Sequence, residues 1–275
     1  MSTRPATLRG EDGVLALLRP PSVSPRRARR MWQRDLILYR RSWKLNVLPN
    51  FFEPVLYLLS IGLGLGLYIG DRILGVEYVE FIAPGLAAAA AMNGAVFEAT
   101  FNVFVKLRFA KLYDAVITTP LEPEDVAVGE LAWAVTRSFI YGTAFLVVMV
   151  ALGFVHSPWA LLAPLGLLLT GVAFALIGLI FTSLIPQIDL FSYFFTLFVT
   201  PLFLFSGIFF PIARLPAAAQ PVAWFTPLHH GVELVRALAL TGDVGLAGSH
   251  GLWLLGFSAL LYAPAVNLMR RRLVV

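Results

Sequence analysis

The chain has 275 residues, of which 59% are hydrophobic and 13% charged, against about 25% charged in an ordinary globular domain. Its apolar residues fall in blocks of roughly 20, each long enough to cross about 30 Å of hydrocarbon; this excludes a soluble domain and predicts an all-α, polytopic membrane protein. With no cysteine there is no disulfide, thiolate metal site or cysteine nucleophile, and the net charge of +5 sits beside apolar segments, where a membrane surface explains it better than nucleic acid.

Residues 1–25, rich in Pro, Ser and Arg (RPPSVSPRR), read as a mobile tail, and residues 1–46 lack the apolar core and small-residue site of a cleavable leader. Over residues 26–45 a helical period emerges. Trp32, Leu36, Tyr39 and Trp43 share one stripe, with Arg30, Arg34 and Arg41 opposite, which predicts an amphipathic helix in the membrane interface. Residues 46–272 then divide into six transmembrane helices: Val47 to Ile69, Phe81 to Val105, Val126 to Phe154, Trp159 to Ile185, Leu190 to Phe210 and Gly251 to Met269. Seventeen Lys or Arg lie in the N-terminal segment, the 106–125 connection and the Arg270–Arg272 tail, against Arg72, Arg214 and Arg236 on the other side. The positive-inside rule therefore places both termini in the cytoplasm.

Two connections are longer than simple links. Lys106 to Glu130 (KLRFAKLYDAVITTPLEPEDVAVGE) predicts a short cytoplasmic surface helix closed before Pro120, with Pro123, Glu124 and Asp125 opening the next helix. Pro211 to His250 is too short for two spans and too apolar for a free loop, so it predicts an outer re-entrant or interfacial helical hairpin.

Few residues offer chemistry. The three lysines, Lys44, Lys106 and Lys111, follow no phosphate-binding glycine loop, so ATP hydrolysis is not expected of this chain. Gly62, Gly64 and Gly66 read as close helix packing inside a span. His156, His229, His230 and His250 fit no zinc spacing and read as interface-facing polar residues. Glu98, with Asn93 nearby in the second span, is costly at mid-bilayer, and Arg137 of the third span neutralises it if the two meet at one depth. Such a pair is either structural or part of a substrate path. Glu53, near the cytoplasmic end of the first span, reads as structural. Phe198, Phe203 and Phe205 of the fifth span, around the bend expected at Pro201, could line a path for an amphipathic cargo.

Three stretches together carry a family resemblance: FIAPGLAAAAAMNGAVFEATF, KLYDAVITTPLEPEDVAVGE and PLHHGVELVRAL. The chain resembles the permease subunits of ABC-2 type exporters, and among them the NodJ-like and daunorubicin-exporter-like permeases. Where that family commonly has Glu before Thr-Pro-Leu, this chain has Asp114, which keeps the charge on a shorter arm. The resemblance implies a half-transporter of the bacterial cytoplasmic (inner) membrane, working as a homodimer or with a related permease. A separate ATPase subunit would bind the ATP and Mg2+, leaving this chain without a cofactor and not an enzyme. Coupling to that ATPase would use Arg108, Lys111, Leu112, Tyr113, Asp114, Val116, Thr119, Pro120 and Leu121, on a surface helix taken as Lys106 to Pro120. The cargo would be amphipathic, lipid-linked, glycan or drug-like. A competing reading is a secondary transporter driven by an ion gradient, with Glu98 as proton carrier; a membrane-embedded enzyme lacks the clustered base it would need.

Overall fold

A computed structural model describes residues 17–64, 73 and 75–274, except the side chains at 42, 44–51, 53, 54, 62, 63 and 117. Its described part is helical, with no strand beyond one isolated bridge between Ile73 and Val76. In chain order the helices are α1 Pro25–Gly64, α2 Tyr78–Arg108, α3 Leu112–Ile117, α4 Pro123–Ala151, α5 Pro158–Leu184, α6 Leu190–Phe205, α7 Gln220–Trp224, α8 Pro227–Arg236 and α9 Val244–Val274. Four of the described helices, α2, α4, α5 and α9, are long and apolar enough to cross a membrane. The fifth predicted span is the shorter apolar helix α6. The first is the C-terminal part of α1, and its end at Ile69 lies outside the described residues, as does the Glu53 side chain.

α1 differs from the expected pair of elements: it is one unbroken helix of 40 residues. No glycine occurs between residues 25 and 61 to stop it, and Pro49 and Pro54 remove backbone donors without ending it. Its inward face is also rotated from the predicted stripe. Ala28, Met31 and Asp35 are buried, Trp32 Nε1 donates to Thr136 Oγ1 at 2.9 Å, and Tyr39 meets Trp133 edge-on, while Trp43 is exposed. The rotation follows from Gly129 on α4, where a Cβ would stand 2.5 Å from that of Met31. Only a missing side chain lets the two helices approach so closely.

α2 fills the centre of the bundle, with Ala83, Ala87, Ala88, Ala91, Ala95 and Ala99 all buried against α4 and α5. A π-helical turn at Glu98–Asn102 interrupts it. Such a turn frees a carbonyl that hydrocarbon cannot satisfy, and Thr182 Oγ1 of α5 donates to Ala99 O at 2.8 Å. α6 is attached at its foot, where Phe191 packs among Phe101, Phe104 and Phe181.

The Pro211 to His250 connection, expected as an outer re-entrant or interfacial hairpin, is drawn further inward than an interfacial hairpin would be. α7 and α8 do form a helical turn-helix pair, but α8 is buried between α2, α5 and α9. Gly64 is exposed, with open space where a Cβ would stand, so the close packing expected of the glycine run is not made there, and Gly66 lies outside the described residues. Both ends of the described chain meet the end of the bundle that carries α3. Asn267 Nδ2 donates to Leu17 O and Arg19 O at 2.9 Å, Arg270 pairs with Glu124 at 3.0 Å, and Ser24 N donates to Asp125 Oδ1 at 2.7 Å.

Candidate functional site

α2 runs on through Arg108 and breaks at Lys111, whose φ of 46° turns the chain into α3. Lys106 therefore belongs to α2, and the surface helix is shorter than the expected Lys106 to Pro120. The reason is local. Lys106 points into the bundle toward acids, and a side chain so held cannot also sit on a helix lying across the surface. At its other end α3 stops at Thr118, where the Thr118 and Thr119 hydroxyls donate to Ala115 O and Val116 O one turn back.

α3 has two faces. Arg108 just before it, then Lys111, Asp114, Thr119 and Pro120 are exposed. Leu112, Val116 and Leu121 pack against the core, and Tyr113 is 1% exposed. The Tyr113 hydroxyl donates to Glu130 Oε1 of α4 at 2.7 Å. Burial and the neighbouring Glu130 carboxylate hold this phenol well above its usual titration range, so it remains a donor.

Glu130 opens a cluster of charges from three helices, α1, α2 and α4. Lys106 Nζ lies 2.8 Å from Glu130 Oε2, 3.3 Å from Asp35 Oδ2 of α1 and 3.5 Å from Glu98 Oε1. An ammonium has three hydrogens, and each has a carboxylate within reach. The π turn aims Glu98 inward, where Asn102 Nδ2 donates to its Oε2 at 2.7 Å and Arg137 Nε stands 3.6 Å from the same atom. Arg137 lies between the rings of Tyr39 and Tyr141, 4.9 Å from each centroid, and donates to the Tyr141 hydroxyl. Arg34 Nη1 is 2.9 Å from Asp35 Oδ1. Burial pushes the Asp35 carboxyl above the usual carboxylate range, opposed by Lys106 and Arg34. Three carboxylates and three cations thus balance, as buried charge requires.

Tyr141 also lines a cavity of about 490 Å³ bounded by Asn93, Phe97, Phe145, Phe195 and Phe203. The contacts therefore form one series from α3 to the cavity: Tyr113, Glu130, Lys106, Glu98, Arg137 and Tyr141. Of the residues expected in a substrate path, Asn93 and Phe203 line this cavity. Glu98 and Arg137 meet in the charge cluster beneath it, whereas Phe198 and Phe205 lie on the exposed side of α6.

The sequence reasoning missed Asp35, Lys106 and Glu130 as members of the cluster. A signal existed for two of them. Asp35 lies on the same helical face as Ala28, Met31 and Tyr39, and Glu130 lies seven residues, two turns, before Arg137.

A second polar group lies at the far end. His229, His230 and His250, expected at the interface, are buried together instead. His230 Nδ1 is 2.7 Å from His250 Nδ1, its ring stacks on Trp253 at 3.9 Å, and His229 Nδ1 is 3.1 Å from Ser206 O. Aromatic stacking and these hydrogen bonds replace part of what water would supply, while His230 Nε2 is buried without a hydrogen-bond partner among the described residues. Among the described residues no group of three His, Asp or Glu is arranged to hold a metal. Arg236, counted among the outer loop charges, is buried beside them. It pairs with Glu233, donates to Gly207 O at 2.9 Å and lies 4.0 Å above the Phe81 ring.

The ABC-2 type transporter family model matches residues 27–240. Nodulation protein J of Rhizobium leguminosarum bv. viciae is 34% identical over 244 residues, 89% of this chain and 94% of the relative. Nodulation protein J of Sinorhizobium fredii is 35% identical over the same share of this chain and 93% of its own. The inner membrane transport permease YadH of Escherichia coli is 27% identical over 88% of this chain and 93% of its own. The chain belongs to the ABC-2 type transporter family, as a multi-pass membrane subunit rather than an enzyme.

Proposed function

We propose that this chain is half of an exporter in the bacterial inner membrane, with six spans and both termini in the cytoplasm. It pairs with a second copy of itself or a related permease, and a separate ATPase drives it. The ATPase rests on the exposed face of α3, formed by Arg108, Lys111, Asp114, Thr119 and Pro120. Movement of α3 reaches the membrane through Tyr113, and the cavity beside Tyr141 takes an amphipathic, lipid-linked, glycan or drug-like cargo. The observation that carries this proposal is the unbroken series from the Tyr113 hydroxyl to the cavity wall. Buried charges in packed helices move between discrete arrangements rather than deform smoothly, which suits a lever of this kind. Aromatic walls with Asn93 and the Tyr141 hydroxyl suit a cargo with an apolar body and a few polar groups.

The test is co-purification followed by function. A Walker-motif ATPase should accompany the chain from its native membrane, and transport by the reconstituted pair should follow ATP rather than a proton gradient. Asp114→Lys, or Val116→Pro within α3, should leave insertion intact while separating ATP hydrolysis from export. Transport by the chain alone, driven by a proton gradient and lost in Glu98→Gln, would favour the secondary transporter.

A further inference from the structure

Arg30, Gln33, Arg34, Ile37, Leu38 and Arg41 line one groove along the N-terminal half of α1. Spacings of 3 and 4 put these residues on one face. Arg30 and Arg41 are exposed and enter no ion pair among the described residues, while Arg34 spends one nitrogen on Asp35. Ile37 and Leu38, between the arginines, are 55% and 47% exposed. Three guanidinium groups around two bare aliphatic side chains repel one another in the absence of an anion, and water gains nothing from the leucine and isoleucine.

The same face continues down the helix at the spacing of 11, 4 and 3 residues to Phe52, Leu56 and Leu59, all exposed. Cationic groups thus give way to purely apolar ones along a single helix edge. Side chains on a helix lean toward its N-terminus, so Arg41 reaches back toward Arg34 and away from the hydrocarbon. A ligand matching this edge has an anionic head joined to long apolar chains.

We propose that this groove is a binding site for an anionic phospholipid, whose phosphate is held by Arg30, Arg34 and Arg41 and whose acyl chains run along Phe52, Leu56 and Leu59. Guanidinium groups suit the phosphate because they offer paired donors in its geometry. Through Arg34, the lipid phosphate shares a partner with Asp35, and Asp35 is one of the three acids on Lys106. The headgroup therefore adjusts the charge cluster that lies between α3 and the cavity.

Binding is measured on the full chain alone, so the result stands apart from the ATPase assignment. The chain is reconstituted with equal parts phosphatidylglycerol and phosphatidylcholine, and the lipid retained after stepwise delipidation is counted by native mass spectrometry. Phosphatidylglycerol should be retained in preference, by on the order of fivefold for each arginine engaged. R30Q/R41Q should remove most of that preference at an unchanged thermal midpoint, and R26Q/R29Q, exposed arginines outside the groove, should keep it. The proposal is overturned if the wild-type chain shows no preference, or if R26Q/R29Q loses it equally. Displacement of the lipid by soluble glycerol phosphate would also overturn it, since the chains would then contribute nothing. Capture of another polypeptide by a photo-crosslinker replacing Gln33 would assign the face to a protein partner instead.

Discussion

Lys106 Nζ sits 2.8 Å from Glu130 Oε2, joining the end of α2 to α4 where the Tyr113 hydroxyl of α3 holds the other oxygen of the same carboxylate. Glu130 is wholly buried, and the lysine also serves Asp35 and Glu98. One cation therefore serves three acids, of which Asp35 also has Arg34 and Glu98 also has Arg137, so Glu130 depends on it most.

Lys106→Met should be among the most destabilising single changes. Removing one partner of a buried pair costs about 3–5 kcal/mol because the opposite charge is stranded, and here three acids lose the same cation. The thermal midpoint in detergent should fall clearly, and Asp35→Asn in the same chain should recover part of the loss. Strict additivity of the two changes would show that Asp35 and Lys106 do not interact.

Tyr113→Phe keeps the ring in place and removes one hydroxyl. Leaving one oxygen of a buried carboxylate short of a donor costs about 1–3 kcal/mol, which the fold should survive. Export per ATP hydrolysed should drop more than insertion or assembly does. Tyr141→Phe, at the cavity end of the series, should reduce export while leaving basal ATP hydrolysis in place. Wild-type coupling in both variants would remove the series from the mechanism.

Gly129→Ala sets two effects against each other. Alanine favours a helix over glycine by about 1 kcal/mol, but its Cβ would enter the space of Met31 at 2.5 Å. Overpacking costs about 1–3 kcal/mol and should prevail, lowering the thermal midpoint. Gly129→Ala with Met31→Ala should not restore it, because alanine keeps the Cβ that lies 2.5 Å away, whereas Met31→Gly removes that atom and should recover part of the loss.

The histidine group makes stability depend on pH. Burial, followed by His250 and His229, pushes the His230 imidazole down to about 3, and burial also lowers His229. The unfolded value is about 6.5, so between these values the unfolded chain binds more protons. Stability is then complete above the unfolded value and is lost as pH falls toward the folded one, by about 1.4 kcal/mol per pH unit for each histidine that titrates. Thermal midpoints measured from about pH 8 to about pH 5 should decline, and His230→Gln should flatten the decline. An equal slope in that variant would place the titrating group elsewhere.

From sequence alone, the apolar blocks set the all-helical membrane class, and the position of the connection before Pro123 located the short helix α3. The pairing of Glu98 with Arg137 was legible only on the condition that the second and third spans meet at one depth, because neither charge could stay unpaired in hydrocarbon. What periodicity supplies is a face, not the surface that face will meet. Asp35 and Lys106 are 71 positions apart, and only the close approach of α1 to α4 at Gly129 brings them into reach. The same limit hid the histidines, whose polarity suggests an interface until Trp253, Ser206 and each other supply their contacts inside the bundle. Composition and period act within one helix, whereas the meeting of charges from several helices is fixed by steric fit between them, which tertiary packing alone decides.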